Sequence, residues 1–338
     1  MPAQRRPIAA LLVALLVVSA AACSRGGTGS TPATARFRVA LLTPGSIADG
    51  GWNQGAYEGL LQIRDQLGAQ IANVETRTPA QFEEEFRGFA SKGFDLIVGH
   101  GFEYQEAAAR VAAEYPGTIF VTTSGNTVRP NLAPIVFELE QATYLCGVVA
   151  GRMTKTKLVG LVGGIDLPSI RSTFQAFRAG VERAAPDVQV REVYTGSFDD
   201  VGGAQEAARA LLEQGADFLM HQANDAGRGV FQAVQERARE GAKVYAFGTN
   251  KDQNAMAPDV VLASATLDAS SALLEVARAV KEKRFRAEPL RFGLKSGVIR
   301  LVWNPKLLQR VPSEVRQQVD ELRTSIERGD LVVPRAKF

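Results

Sequence analysis

Short apolar runs alternate with helix-length amphipathic segments from residue 36 onward, and this alternation limits the possible folds more than any other feature. The first series of apolar runs is 37–43, 69–76, 94–100, 118–123 and 135–137, and the second is 158–164, 188–195, 217–222, 243–248 and 260–265. Nearly continuous apolar strands separated by helices indicate parallel sheets that are buried on both faces. Two consecutive series predict an α/β fold of two similar, Rossmann-like lobes rather than one very large sheet.

The segments between these strands predict the helices and the division into lobes. Helices are expected at 53–67, 80–92, 103–114, 140–153, 169–184, 203–213, 228–240, 269–283 and, as a surface cover, 313–328. The N-terminal lobe is expected to comprise 36–126 plus 252–284, and the C-terminal lobe 127–251 plus 285–338. In open α/β sheets, ligands bind outside the carboxyl ends of the strands. With two facing lobes, both sets of strand ends line one interdomain cleft.

The N-terminus has the layout of an export signal. Residues 1–22 contain a basic start, an apolar run and small residues, and the run is too short and wrongly flanked for a stable spanning helix. Cys23 follows directly, as in a bacterial lipobox whose thiol is acylated, although Ala20 stands where such signals usually carry Leu. The alternative is an ordinary signal peptide with an incidental cysteine. Residues 23–35 are typical of a flexible tether, so we expect an exported protein that is lipid-anchored to a bacterial membrane and faces the periplasm or cell exterior.

Composition excludes several classes of protein. The 338 residues include 39 Lys and Arg against 36 Asp and Glu, unlike a strongly basic nucleic-acid binder. The hydrophobic fraction of 46% is enough for a packed core and argues against a disordered chain. Two cysteines and two histidines argue against a disulfide scaffold and a first-row metal site. We expect a monomer with no metal, no cofactor and no nucleic-acid partner.

The residues that follow the predicted strands are mostly aromatic rings, amides and hydroxyls. The candidate ligand-binding residues are Trp52, Asn53, Phe102, Glu103, Ser124, Gly125, Phe174, His221, Asn224 and Asn250. Such a set suits a planar, neutral ligand, because stacking supplies affinity and amides supply orientation. For His221, a histidine satisfied within the core is the alternative. The glycine-rich loop before Trp52 is neither a phosphate loop nor a dinucleotide fingerprint, since it lacks Gly-Lys-Ser/Thr and G-x-G-x-x-G.

Several ordered segments between Phe37 and Leu301 resemble the basic membrane lipoprotein (BMP) family. They are LLTPGSIADGGWNQGAYEGL, ATYLCGVVAGRMTKTKLVGLVGGIDLPSIRSTFQAFRAGV and QGADFLMHQANDAGRGVFQAVQE. The family comprises substrate-binding proteins of ABC transporters, of the purine-nucleoside-receptor type. The resemblance implies a type I periplasmic-binding fold that closes like a hinge on a purine nucleoside or base. It also implies an ABC permease and its ATPase as partners.

The resemblance extends to single residues, with departures. Trp52 and Asn53 match the family's aromatic–Asn pair, with Trp in place of the usual Phe. Phe174 matches the family's cross-lobe aromatic, which implies an aromatic sandwich around the ligand. Three positions where the family has acidic residues, and one where it has a lysine, differ here: Pro44, Ser124, Asn250 and Leu267. These groups would grip base and ribose, so the ligand could also be a base, a modified nucleoside or another small polar ring.

Other functions are also compatible with the sequence. A receptor that presents its ligand to a signalling partner, or a binding protein for a non-nucleoside solute such as a sugar, would have the same fold. A nucleoside hydrolase or phosphorylase would need a carboxylate cluster with a metal, or a basic anion pocket. The strand ends instead carry Ser124 and Asn250. We therefore expect a binding protein and not an enzyme.

Overall fold

The computed structural model describes residues 36–336, which lie within one compact unit, Arg36–Phe338. The predicted export signal (1–22), the tether (23–35) and the lipidation site Cys23 lie outside the described residues. Within residues 36–336, no helix combines the length and the apolar composition that crossing a bilayer requires.

Twelve strands and nine α-helices follow one another in this part of the chain. The strands are β1 (Arg38–Thr43), β2 (Gln70–Glu75), β3 (Leu96–Gly99), β4 (Ile119–Thr123), β5 (Leu132–Phe137), β6 (Leu158–Gly163), β7 (Gln189–Tyr194), β8 (Phe218–Gln222), β9 (Tyr245–Asn250), β10 (Val261–Leu267), β11 (Leu290–Phe292) and β12 (Ile299–Trp303). The helices are α1 (Trp52–Leu67), α2 (Pro79–Ser91), α3 (Gln105–Glu114), α4 (Glu140–Met153), α5 (Pro168–Ala184), α6 (Val201–Glu213), α7 (Gly227–Arg239), α8 (Ala269–Lys281) and α9 (Ser313–Arg328).

The strands form two sheets of six, one in each lobe. The first has the order β11-β5-β4-β3-β1-β2 and the second β12-β10-β9-β8-β6-β7. All pairs are parallel except β12, which runs antiparallel to β10. The predicted fold of two α/β lobes with parallel sheets is confirmed. The short strands β11 and β12 are additions that the apolar pattern did not indicate.

The lobe boundaries differ from those expected from the sequence. Strand β5 pairs with β4 in the first sheet, and β10 pairs with β9 in the second. The chain therefore crosses between the lobes after β5, after β10 and between β11 and β12. The expected boundaries after 126, 251 and 284 lie too early, because an apolar run does not show which sheet its strand joins.

Two helices pack closely directly after the first crossing. Helix α4 begins at Glu140, directly after the crossing, and lies against α5. A Cβ atom on Gly147 or on Gly180 would collide with a backbone carbonyl of the other helix. Glycine at these positions lets the two backbones touch. Cys146, on the same helix, is fully buried.

Candidate functional site

A cavity of about 490 Å³ lies between the two lobes at the carboxyl ends of their strands. Its aromatic wall includes Trp52, Phe102 and Phe137 from the first lobe and Phe198 from the second. Its amides are Asn53, Gln222, Asn224 and Asn250, and its charged residues are Arg77, Glu103, Glu140, Asp199 and Arg335. This size and this mixture of apolar surface with a few polar groups are typical of a small-molecule site.

The buried carboxylate of Asp49 fixes the loop that presents Trp52. Its Oδ1 accepts hydrogen bonds from the backbone N–H groups of Gly51 (2.9 Å) and Gln54 (3.0 Å), and its Oδ2 accepts one from Asn53 (2.8 Å). These N–H groups lie at the start of α1, where the helix itself offers them no acceptor. Asp49 therefore caps the helix, and the cap holds Trp52 at the cavity wall.

The Trp52 ring is further positioned by His100. The two rings stack with their centroids 4.0 Å apart and an interplanar angle of 20°. Nε1 of Trp52 donates to the carbonyl oxygen of His100 over 3.2 Å, while Phe137 meets the indole edge-on at 5.9 Å. Burial lowers the pKa of His100 to about 4, so the imidazole is neutral at pH 7. Because one face of the indole is covered by His100, a ligand can stack only on the other.

The second lobe presents Phe198 to the cavity, from the loop after β7. Its half-buried ring lies against Gly164, where a Cβ atom would collide with it. Phe198 is not among the residues expected from the sequence, although the rule that ligands bind beyond the strand ends applies to β7 as to its neighbours.

Phe174, the expected cross-lobe aromatic, does not line the cavity. Its ring is 1% exposed and packs against Tyr194, with centroids 5.7 Å apart. It therefore belongs to the core of the second lobe. The expected sandwich partner Phe174 is therefore absent from the cavity wall, where the second lobe contributes Phe198 instead.

Two other expected site residues also lie away from the cavity wall. His221 is fully buried, its Nε2 lies 2.9 Å from Oε1 of Gln253, and burial lowers its pKa to about 4. It is a core histidine, which was the alternative. Gly125 is buried beside Gln105 and Thr122. The structure brings the other expected residues to the wall, namely Trp52, Asn53, Phe102, Glu103, Ser124, Asn224 and Asn250.

The backbone is strained at three strand ends that border the cavity. Ser124, Asn224 and Asn250 have φ angles of 61°, 50° and 68°, and they are three of the five non-glycine residues with positive φ between residues 36 and 336. Such conformations persist only where the surrounding structure enforces them, and they concentrate at functional sites.

Two wall residues, Asn53 and Glu103, carry side-chain oxygens in surroundings that are largely shielded from water. Asn53 is 3% exposed, and no group in the described part of the chain hydrogen-bonds to its Oδ1. The carboxyl group of Glu103 lies close against Gly101, and burial raises its pKa. The Oδ1 of Asn53 offers a hydrogen-bond acceptor to whatever fills the cavity.

Three polar contacts join the lobes directly across the cleft. Asn224 Nδ2 lies 2.7 Å from Asp49 Oδ2, Lys251 Nζ lies 2.6 Å from Glu58 Oε1, and Arg77 Nη1 lies 3.6 Å from Asp199 Oδ2. The first contact also reaches the ligand wall, since Asn224 Oδ1 accepts the N–H of Trp52 over 3.1 Å. Among residues 36–336, no group of three or more His, Cys, Asp or Glu side chains is arranged to hold a metal ion.

Comparison with known proteins gives relatives of the same kind along the whole described chain. It is 25% identical over 353 residues to the ABC transporter nucleoside-binding protein of Lactococcus lactis subsp. cremoris, covering 98% of this chain and 99% of that protein. It is 23% identical over 306 residues to a purine-binding protein of Brucella abortus, covering 90% and 84%. The solved structure of an ABC transporter system solute-binding protein from Conexibacter woesei is 31% identical, with a TM-score of 0.69 and coverage of 88% and 99%.

The sequence profile that matches describes the same kind of protein. Residues 37–337 match the family of "ABC transporter substrate-binding protein PnrA-like". Members of this family bind solutes and are not enzymes, and the two-lobed fold agrees with that of the solved relative. The resemblance to BMP proteins is thereby confirmed, and the chain belongs to the PnrA-like (Bmp) family of ABC transporter substrate-binding proteins.

Proposed function

We propose that this protein binds a purine nucleoside, or a related small polar ring, between its lobes and delivers it to an ABC importer. The observation that carries the proposal is the cavity of about 490 Å³ to which both lobes contribute an aromatic ring, Trp52 and Phe198. Flat rings bind a planar base by stacking, and the amides around them supply direction. The nucleoside-binding and purine-binding relatives support this class of ligand.

Binding acts through the position of the lobes. A ligand that touches both lobes stabilises the arrangement in which they lie together. Separation of the lobes would break the contacts of Asn224 with Asp49 and of Lys251 with Glu58. The permease then recognises the closed protein and receives the ligand, and no bond is made or broken.

The cavity's charges favour an unphosphorylated ligand. Three carboxylate residues line it: Glu103, Glu140 and Asp199. The two arginines on the wall are each close to a carboxylate, Arg77 to Glu75 and Arg335 to Glu140. A phosphate group would add negative charge to a wall whose cations are already paired. The carboxylates would repel a phosphate group, whereas a nucleoside or base carries no such charge.

Substrate-binding proteins of ABC transporters act outside the cytoplasm, and the proposal adds a lipid on Cys23 that holds this one at the membrane. Metabolic labelling with a palmitate analogue tests the anchor: the full chain should take up label and move to the membrane fraction, and Cys23→Ser should do neither. Label on Cys23→Ser, or none on the wild type, would contradict the anchor without affecting the ligand proposal.

Ligand binding is tested with the full-length protein purified in detergent, by thermal shift and titration calorimetry. The panel contains purine and pyrimidine nucleosides, the free bases, ribose and glucose. A ligand present at one hundred times its Kd adds about 2.7 kcal/mol to stability, which is readily measured. Purine nucleosides or bases should raise the melting temperature. A response to sugars alone, or to none of these compounds, would overturn the proposed ligand class.

A further inference from the structure

Glu140 brings a buried carboxylate oxygen without a partner to the wall of the ligand cavity. The residue is 5% exposed and lines the cavity. Its Oε2 is buried, and nothing in the described chain donates a hydrogen bond to it. Burying an acceptor without a donor is costly, and such groups are rare in folded proteins. Since Glu140 lines the ligand cavity, a ligand bound there can supply the donor that the protein does not.

The other oxygen of the same carboxylate is held firmly. Oε1 of Glu140 accepts a hydrogen bond of 2.5 Å from Oγ of Ser172 on α5. Nε of Arg335 lies 3.4 Å from the same Oε1. The orientation of the carboxyl group is therefore set before any ligand binds, with Oε1 engaged and Oε2 left without a donor.

The chain's final segment completes this arrangement. After α9 the chain returns to the cleft, where the N–H of Ala336 donates to Oγ of Ser172 over 3.1 Å. Arg335 lines the ligand cavity beside Glu140. Glu140 itself is the first residue of α4, directly after the crossing from β5. The carboxylate is thus positioned at the hinge side of the cleft by groups of the second lobe and the C-terminal segment.

We infer that Glu140 is a specificity-determining residue of the cleft, and that its Oε2 accepts a hydrogen bond from a hydroxyl or N–H group of the ligand. The inference rests on the proposed function and narrows it. The ligand carries a donor at its hinge-side end and is neutral or cationic there. Glu140 thus offers the ligand a carboxylate, which the residues at positions 44, 124 and 250 (Pro44, Ser124 and Asn250) do not.

In a purine nucleoside the donor is either a ribose hydroxyl or an N–H group of the base. Analogues that lack one donor at a time distinguish these sources. The probes are adenosine, its 2′-deoxy, 3′-deoxy and 5′-deoxy forms, and purine riboside, which lacks the exocyclic amino group. Inosine and guanosine complete the set.

The decisive variant is Glu140→Gln, measured by calorimetry on the full-length protein in detergent. It keeps the side chain's shape and the bond from Ser172, but it turns an NH2 group towards the ligand's donor. Nucleosides should bind about 10-fold to 100-fold more weakly, as expected for the loss of a hydrogen bond to a charged group. The analogue without the relevant donor should bind wild type and variant equally. A double-mutant cycle of protein variant and ligand analogue measures this coupling between Glu140 and the donor.

Glu138→Gln is the matched control. Glu138 lies two residues earlier at the same hinge, where it accepts a hydrogen bond from Gln141 and lies 3.4 Å from Arg291 and 4.0 Å from Arg335, but it does not line the ligand cavity. Glu138→Gln should change the affinity for every probe by the same small factor, because it removes a charge near Arg335 but no acceptor from the cavity wall. Melting temperatures without ligand show whether both variants fold. If Glu140→Gln does not, Ser172→Ala replaces it, and it should weaken binding of the nucleoside but not of the donor-free analogue.

The outcomes separate this inference from the function on which it rests. If Glu140→Gln binds all probes as the wild type does, the inference is wrong and the proposed function stands. If it weakens every probe equally, the role of Glu140 is structural and the inference is again overturned. If the wild type binds no purine compound, the proposed function fails and the inference falls with it.

Discussion

The side-chain amide of Asn224, in the second lobe, donates a hydrogen bond of 2.7 Å to the carboxylate of Asp49, in the first. Its oxygen accepts the N–H of Trp52, so one side chain joins the second lobe to both the cap of α1 and the stacking residue. The approach needs a glycine at position 51, where a Cβ atom would lie 2.8 Å from Oδ1 of Asn224. The contact therefore couples closure of the lobes to the ligand wall.

Replacing Asn224 with alanine should favour separated lobes. The variant loses two hydrogen bonds across the cleft, one of them to a carboxylate, which is roughly 1–3 kcal/mol in favour of the closed arrangement. Small-angle scattering without ligand should give a larger radius of gyration, and nucleoside affinity should fall. Asn73→Ala, at an exposed position on β2, is the control and should change neither. An unchanged radius and affinity for Asn224→Ala would show that the contact does not contribute to closure.

Trp52 should report on ligand binding as well as contribute to it. The chain has two tryptophans, so Trp303→Phe leaves Trp52 as the only indole. In that background a stacked nucleoside should change the fluorescence. Trp52→Phe should retain most of the affinity, whereas Trp52→Ala should reduce it roughly 10-fold to 100-fold, as for base–aromatic stacking elsewhere. Equal affinity of Trp52→Ala and the wild type would mean that the ligand does not stack there.

Phe198 and Phe174 should separate ligand binding from stability. Phe198→Ala removes a half-buried ring from the cavity wall and should weaken nucleoside binding, with roughly 1 kcal/mol or less lost in stability. Phe174→Ala empties a core position and should cost about 3–5 kcal/mol in urea unfolding. Its effect on affinity, measured well below the melting temperature, should be the smaller of the two. A larger loss of affinity in Phe174→Ala than in Phe198→Ala would show that Phe174 belongs to the ligand site.

The repetitive part of the fold could be read from the sequence because it depends on local pattern. Each long strand of the two parallel sheets coincides with an apolar run, and each helix with an amphipathic segment. Strand β11 has only three residues, and β12 is buried only at Ile299, so neither forms a recognisable apolar run. Strand pairing between distant segments decides which lobe β5 and β10 join, and a local sequence pattern does not predict such pairing.

The site was predictable where it depended on strand ends and not where it depended on side-chain direction. Asn250 ends β9, Asn224 comes two residues after β8, and Trp52 follows the loop after β1. Phe174 has an equally suitable position in the sequence, but it lies on the face of α5 that is turned towards the core. Arg335 lines the cavity because the chain returns to the cleft after α9, and no sequence motif predicts that path.

Stability should fall as the pH falls from 6.5 towards 4, because of two buried histidines. Burial lowers the pKa of both His100 and His221 to about 4, below the ordinary 6.5. The unfolded chain therefore binds more protons than the folded one in this range, and the free energy of unfolding decreases as protons are added. At pH 5 each histidine should remove about 2 kcal/mol relative to pH 7. Urea unfolding at several pH values measures the slope.

The contribution of the histidines can be separated from that of the carboxyl groups. Glu103 acts in the opposite sense, since its raised pKa favours the protonated folded form and its contribution is lost as the pH rises. Ion-paired carboxyl groups such as Asp166, whose pKa is lowered, lose their contribution only below about pH 4. His221→Gln should therefore reduce the slope between pH 6.5 and 4 to about half, since one buried imidazole is left. An unchanged slope in that variant would assign the acid sensitivity to other groups.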